Sequence, residues 1–275
     1  MTLFQAIFLG IIQGLTEFLP ISSSAHLVLT PYLLGWQMAQ DEAFVFNVLV
    51  QMGTLLAVIV YFWKDFWGIG KDMVVNLLQG KPFASSQSRL GWLIILATLP
   101  AGVIGLAIKD LVEAAFASPI ATAIFLLVTA VFLVTAERVG KRSRSLDQLN
   151  WKDALWIGFF QAASIFPGVS RSGSTITGGM LRNVERPAAA RLSFLISLPI
   201  MLAAGGLALV DLTQIASLSS YIPVIICGFV TSTVVGYLSI RWLIRFLSNH
   251  TLVGFALYCI VLSLLVLAIS AVRAL

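Results

Sequence analysis

Ala154-Leu155-Trp156-Ile157-Gly158-Phe159-Phe160-Gln161-Ala162-Ala163-Ser164-Ile165-Phe166-Pro167-Gly168-Val169-Ser170-Arg171-Ser172-Gly173-Ser174-Thr175-Ile176-Thr177-Gly178-Gly179-Met180-Leu181 is the stretch that decides how this chain folds. It is apolar enough for a bilayer, but Pro167, Gly168 and a run of serines break it in the middle. A basic loop lies on either side. Loop 137–153 holds Arg138, Lys141, Arg142, Arg144 and Lys152; loop 182–191 holds Arg182, Arg186 and Arg191. Short loops rich in Lys and Arg stay on the cytoplasmic side. Both ends of the stretch are therefore on one side, and the chain between them must enter the membrane and return. Such a re-entrant hairpin is tolerated only where protein or a wet cavity satisfies its interrupted backbone.

The rest of the chain supports a membrane reading. Only 11% of its residues are charged and 59% are hydrophobic, whereas a soluble domain carries about 25% charged residues. A spanning helix needs about 20 apolar residues, and six runs qualify: 43–63, 90–108, 114–136, 192–210, 221–240 and 251–272. Loops 64–89 and 241–250 hold most of the remaining basic residues, which places them with the other two in the cytoplasm. The net charge of +5 forms no concentrated basic face, so no nucleic-acid partner is expected. Cys227 and Cys259 both sit in apolar runs and read as small hydrophobic filler. The start, Met1-Thr2-Leu3-Phe4, lacks a basic n-region, so no cleavable signal peptide is expected.

Residues 2–34 form a second broken stretch, which reads as a hairpin entering from the outside. Each half of the chain is then one hairpin followed by three spans. Three is odd, so the second half is inverted relative to the first. The halves, about 1–136 and 154–272, are joined by cytoplasmic loop 137–153 within a single membrane domain. Leu9-Gly10-Ile11-Ile12-Gln13 resembles Ile157-Gly158-Phe159-Phe160-Gln161, and both continue to proline and a serine-rich turn. Inverted repeats usually meet near the midplane with broken-helix tips forming the site, so the two turns are expected to face each other. The fold class is all-α: six transmembrane helices and two re-entrant hairpins.

The first turn, Gln13-Gly14-Leu15-Thr16-Glu17-Phe18-Leu19-Pro20-Ile21-Ser22-Ser23-Ser24-Ala25-His26, places a carboxylate, three hydroxyls and an imidazole at membrane depth. Ionisable groups there are costly and usually face a cavity or a site. Gln13 and Glu17 are four apart and share a helix face. In the second turn, Arg171 offers a planar cationic fork suited to phosphate oxygens, and the following half-helix points backbone N–H groups at the same anion. Ser170, Ser172, Ser174 and Thr175 can add hydroxyl donors, and Gly168 and Gly173 allow close approach. This inventory suits hydrolysis of a phosphate ester or anhydride on a lipid. A serine would attack phosphorus while an imidazole handles protons, and Glu17, with or without Gln13, would hold a divalent cation, Mg or Ca. Blander roles compete: serines that bond backbone carbonyls, and Glu17 as the structural partner of Arg171. Asn47 and Gln51 share a face and read as packing glue or cavity lining. Asp41, Glu42, Lys109, Asp110 and Glu113 fall at outer membrane edges. Trp63, Trp67, Trp92, Trp151 and Trp242 read as interface anchors.

At these residues the chain resembles the undecaprenyl-diphosphate phosphatase, or bacitracin-resistance, family. The (Glu/Gln)-x-x-x-Glu motif stands as Gln13–Glu17, Pro-x-Ser-Ser-x-x-His as Pro20–His26, and Pro-Gly-x-Ser-Arg-Ser-Gly as Pro167–Gly173. The run from Phe46 to Val58 also looks like the family's intervening segment. The resemblance implies removal of the terminal phosphate from undecaprenyl diphosphate, a polyprenyl lipid carrier of envelope polymers. It implies a divalent cation and an active site in the bacterial plasma membrane opening to the outer, periplasmic face. By residue it implies Ser23 as nucleophile, His26 as its proton-transfer partner, Arg171 as phosphate clamp, and Glu17 with Gln13 near metal or diphosphate. Ser22, Ser24, Ser170, Ser172, Gly173 and Thr175 would line the phosphate site. At Gln13 the chain carries the amide form of the motif, the weaker metal ligand. Besides the substrate and the bilayer, a homodimer is carried as an open expectation. Two other functions fit parts of the pattern: a lipid flippase or transporter, because inverted repeats with broken helices are habitual there, and an intramembrane serine protease.

Overall fold

The computed structural model describes residues 1–37, 40–212 and 218–273. All of its regular secondary structure among these residues is helical, in twelve α-helices and one short 3₁₀ turn. α1 (Leu3–Thr16) and α2 (Ser23–Leu34) form the first hairpin, and α8 (Trp151–Ala163) and α9 (Arg171–Leu181) the second. These limbs have 14, 12, 13 and 11 residues. At about 1.5 Å per residue none reaches the roughly 30 Å of a hydrocarbon core, so each pair enters and turns back.

The long helices carry the expected spans. α5 (Ser86–Ala107), α7 (Pro119–Val139), α10 (Arg186–Leu212), α11 (Leu218–Asn249) and α12 (Val253–Arg273) account for five segments long and apolar enough to cross a membrane. The sixth is α3 (Gln40–Tyr61), continued by α4 (Trp63–Leu78) at a 75° bend. The protein is thus a multi-pass membrane protein. α4 occupies part of what reads from sequence as loop 64–89, because its charged residues and its exposed Trp63 and Trp67 suit a helix lying at a membrane edge. Several boundaries also move, and α10 begins at Arg186, six residues before the sequence-based start at 192. α7 begins at Pro119, behind the Ser118 cap and the short α6 (Lys109–Phe116), five residues after the sequence-based start at 114. α11 runs on through Arg241 and Arg245, so most of the expected loop 241–250 is helical. The side chains of Asp41, Glu42 and Glu113 lie outside the described residues.

α1 packs along α11 and α3, while α8 packs along α5 and α9. Close backbone approach sets both first limbs. A Cβ on Gly14 would meet Ser232 O of α11 at 2.9 Å, and one on Gly158 would meet Ala97 O of α5 at 2.7 Å. Small residues at such contacts are how helices associate where lipid removes the hydrophobic drive.

One end of the bundle is tied by buried carboxylates. Glu137 of α7 accepts from Arg186 Nε (2.7 Å), Arg142 Nη2 (2.8 Å) and the Leu252 N–H (2.9 Å). Asp153, fully buried in the first turn of α8, accepts from Arg182 Nε (2.5 Å) and Arg144 Nη2 (2.8 Å). Burial pushes the Asp153 carboxyl up, but hydrogen bonds from Arg144, Arg182 and the Asn150 N–H outweigh it and hold it below the usual carboxylate range. Four arginines that the sequence offers as free loop charge are therefore structural partners.

Candidate active site

The first turn is built around Phe18 and Ser22. Phe18 is fully buried and meets Phe194 of α10 edge-on, with ring centroids 5.3 Å apart. Ser22 takes a left-handed conformation (φ 69°), which costs a non-glycine residue about 1–3 kcal/mol unless the surroundings impose it. Its hydroxyl then caps α2 by accepting from the Ala25 N–H at 3.3 Å. Ser23 becomes the first residue of α2, at the tip.

The second turn is held by a residue the sequence did not single out. Thr129 Oγ1 of α7 donates to Gly168 O (2.8 Å) and accepts from the Ser170 N–H (2.8 Å). Gly168 has φ 104°, and a Cβ there would lie 2.3 Å from Thr122 O, so only glycine fits. Ser170 caps α9 by accepting from the Gly173 N–H at 3.0 Å. Arg171 opens α9 as Ser23 opens α2.

The two tips meet. Arg171 Nη2 donates to Glu17 Oε1. Glu17 Oε2 accepts from Ser23 Oγ at 2.5 Å and from Gln13 Nε2 at 2.9 Å. Ser172 Oγ reaches across to Leu19 O at 3.1 Å. Glu17, Ser22, Ser23, Ser24, Ser170 and Arg171 all line one cavity of about 270 Å³, joined by Gln51, Gln161 and Ser164. Two half-helices start at this cavity, and their unsatisfied N–H groups and positive dipole ends favour an anion there.

Other expected site residues stand apart from that cavity's wall. Ser172 is turned to Leu19 O and to Ser170 Oγ (3.1 Å). Gly173 serves as the capped N–H of α9. Thr175 Oγ1 is spent on Arg171 O (2.8 Å) and Ser193 Oγ of α10 (2.6 Å). Gln13 sits behind Glu17, fixed by Thr54 (3.3 Å) as well. The largest departure is His26. Its Nδ1 lies 2.7 Å from Ser22 O and its Nε2 2.7 Å from Tyr258 Oη of α12, and it lines a different, apolar cavity. Both ring nitrogens are taken, and no hydrogen bond joins His26 to Ser23. The neighbour of the Ser23 hydroxyl is Glu17. Tyr258, Thr129 and Gln161 were missed by sequence reasoning; of the three, only Gln161 had a signal, its match to Gln13.

Three buried polar atoms here have no partner among the described residues: Arg171 Nη1, Gln13 Oε1 and Gln161 Oε1. Arg171 Nη1 lacks an acceptor, which a phosphate oxygen supplies. The two amide oxygens lack a donor or a cation, and their orientation is set because each Nε2 donates elsewhere. The donor set fits a hard divalent cation only in part. Glu17 uses three of its roughly four acceptor positions, and no group of three His, Cys, Asp or Glu residues is gathered for a metal among the described residues. Of the two amides only Gln161 shares the cavity wall with Glu17, and that pair suits a cation completed by substrate oxygens and water, as Mg²⁺ commonly is.

Comparison with known proteins places the chain in a family. The family described as bacitracin resistance protein BacA matches residues 6–265. An undecaprenyl-diphosphatase of Chlorobaculum tepidum is 43% identical over 272 residues, covering 96% of this chain and 95% of that protein. One of Chlorobium phaeovibrioides is 43% identical, covering 97% and 96%. One of Thermomicrobium roseum is 40% identical, covering 98% of each. With motifs, span order and full-length identity in agreement, the chain belongs to the bacitracin resistance protein BacA family.

Proposed function

We propose that this protein hydrolyses undecaprenyl diphosphate to undecaprenyl phosphate and inorganic phosphate, returning the lipid carrier to envelope synthesis and so conferring bacitracin resistance. The relatives' names support the substrate, and one observation carries the chemistry. Arg171, on the wall of the cavity where two half-helices start, holds Glu17 through Nη2 and has a buried second nitrogen, Nη1, without a partner among the described residues. That arrangement lacks an anion.

In the reaction, Ser23 Oγ attacks the terminal phosphorus and passes its proton to Glu17 Oε2. The bond from that phosphorus to the bridging oxygen breaks, and undecaprenyl phosphate leaves with the electron pair. Glu17 releases that proton to solvent and is ionised again. Water then attacks the phosphoserine and passes a proton to Glu17, the phosphorus–Oγ bond breaks, and Glu17 returns the proton to Ser23 Oγ, leaving inorganic phosphate and free Ser23. Arg171 Nη1 and the first N–H groups of α2 and α9 hold the non-bridging oxygens, where charge builds up in the transition state. A divalent cation held by Glu17 with the Gln161 amide oxygen, both residues of the cavity wall, would neutralise diphosphate charge.

The basic end tied by Glu137 and Asp153 faces the cytoplasm of a bacterial plasma membrane, and the cavity opens to the outer face; the positive-inside pattern supports this orientation. The halves 1–136 and 154–272 are inverted copies. The packing of α1 on α11 and of α8 on α5 supports that relation. Phosphate release by the purified protein in detergent, with and without a chelator, tests the function. Without a transbilayer gradient a flippase would release none.

A further inference from the structure

The mechanism above leaves His26 unused, although it is 7% exposed and lies three residues beyond the nucleophile. Its surroundings fix its state. Ser22 O can only accept, so the nitrogen 2.7 Å from it, Nδ1, carries the hydrogen. The cavity of about 620 Å³ that His26 lines contains no carboxylate among its walls, and an imidazolium there would be a buried charge without a counter-ion. The ring is neutral, Nε2 is its acceptor, and Tyr258 Oη donates to it at 2.7 Å. The two rings also stack, 5.6 Å apart and 8° from parallel.

The chain of contacts runs from α12 to the tip. Tyr258 fixes the ring, and the ring's Nδ1–H holds the Ser22 carbonyl. Ser22 carries the left-handed backbone (φ 69°) that starts α2 and sets Ser23 Oγ on Glu17. The Ser22 carbonyl receives the His26 backbone N–H as well, at a longer 3.3 Å. A carbonyl held from its own helix by a clamped ring keeps an otherwise unfavourable turn in place.

We propose that Tyr258 is a positioning residue for the hydrolysis, acting through His26 on the Ser22 turn that presents Ser23, and that His26 transfers no proton. This rests on the phosphatase reading for its kinetic consequence but not for its structural one. Its mechanical content is alignment: misplacing a reacting group by about 1 Å can cost 10²-fold in rate.

The test combines kinetics with ¹⁵N-histidine NMR of the whole protein in detergent. Tyr258→Phe keeps the stacked ring and removes the hydroxyl; kcat for phosphate release should fall about tenfold while KM holds, a partial loss of alignment. His26→Ala should lose about 10²-fold or more. His26→Asn places an amide N–H where Nδ1–H stands and cannot act as a base, so it should recover to within about tenfold of the parent. The NMR spectrum should show His26 neutral with hydrogen on Nδ1, and the Nε2 signal should shift in Tyr258→Phe. An Asn variant as inactive as the Ala variant, or a wild-type kcat in Tyr258→Phe, would overturn the proposal. An Nε2–H tautomer would overturn it independently of activity. If the parent protein released no phosphate, the phosphatase reading would fail while the tautomer result still decided the contact.

Discussion

The two hairpin tips start alike and end in opposite chemistry. Each first limb carries a buried glutamine, Gln13 or Gln161, with its amide nitrogen bonded and its carbonyl oxygen unpartnered. Four residues on they diverge: Glu17 in the first tip, Ile165 in the second. Past the prolines, Ser22 and Ser170 cap α2 and α9 alike, but the residues that open the two helices differ: Ser23 points its hydroxyl at Glu17, and Arg171 its guanidinium. Each half holds charge of one sign at membrane depth, where neither is tolerable alone. The site, and the neutralisation of both charges, exists only when the halves dock. Breaking such a pair from one side is costly, because the other charge stays buried.

Removing the group unique to the first tip should have the largest effect. Ser23→Ala is expected to lower kcat for phosphate release by about 10³-fold or more, whereas Ser170→Ala should chiefly weaken the α9 cap, by about 1 kcal/mol in stability. Equal kinetic losses would erase the distinction. Glu17→Gln keeps the shape of the first tip but removes its proposed base and the counter-charge of Arg171; turnover should fall about 10²–10⁴-fold, and thermal melting, expected to show a lowered midpoint, separates that loss from unfolding. Arg171→Lys keeps the charge of the second tip and loses the fork; kcat/KM should fall about 10²-fold, as no ammonium can serve Glu17 and a phosphate with two fixed nitrogens.

The roots of the hairpins differ too. α8 is anchored by Asp153 between Arg144 and Arg182, whereas α1 opens with an exposed Thr2–Gln5 capping box. Asp153→Ala should destabilise by about 1–3 kcal/mol, less than a fully buried pair because both arginines are partly exposed. Thr2→Ala should cost about 0.5–1 kcal/mol. Because the folded Asp153 carboxyl lies below its unfolded value, its contribution is present above about pH 4 and is lost as pH falls through the folded value. The melting-temperature gap between parent and Asp153→Ala should therefore close in acid.

Composition and loop charge are local properties, and they gave the span count, the re-entry at 154–181 and the facing tips. What they missed depends on tertiary packing. The 75° bend before Trp63 was hidden because an amphipathic helix at a membrane edge has the charge content of a loop. The basic loops look alike whether their arginines are free or, like Arg144 and Arg186, committed to Asp153 and Glu137. The family resemblance implies His26 as Ser23's proton-transfer partner, but a motif carries residue types and spacing, not the direction of a ring. Residue 26 lies on the first turn of α2, and the fold aims it away from residue 23, toward Tyr258, 232 positions distant. Thr129 is one hydroxyl in an apolar run, and nothing local separates a threonine that braces a turn from one that bonds its own helix.

In the proposed reaction Ser23 is the group that meets phosphorus. The direct measurement is to quench the purified protein during turnover of undecaprenyl diphosphate labelled in its terminal phosphate, and to map the label. That role predicts label on the peptide containing Ser23, none in Ser23→Ala, and no phosphate release by that variant above background. Sustained phosphate release by Ser23→Ala, or turnover by the parent with Ser23 unlabelled at every quench time, would contradict it.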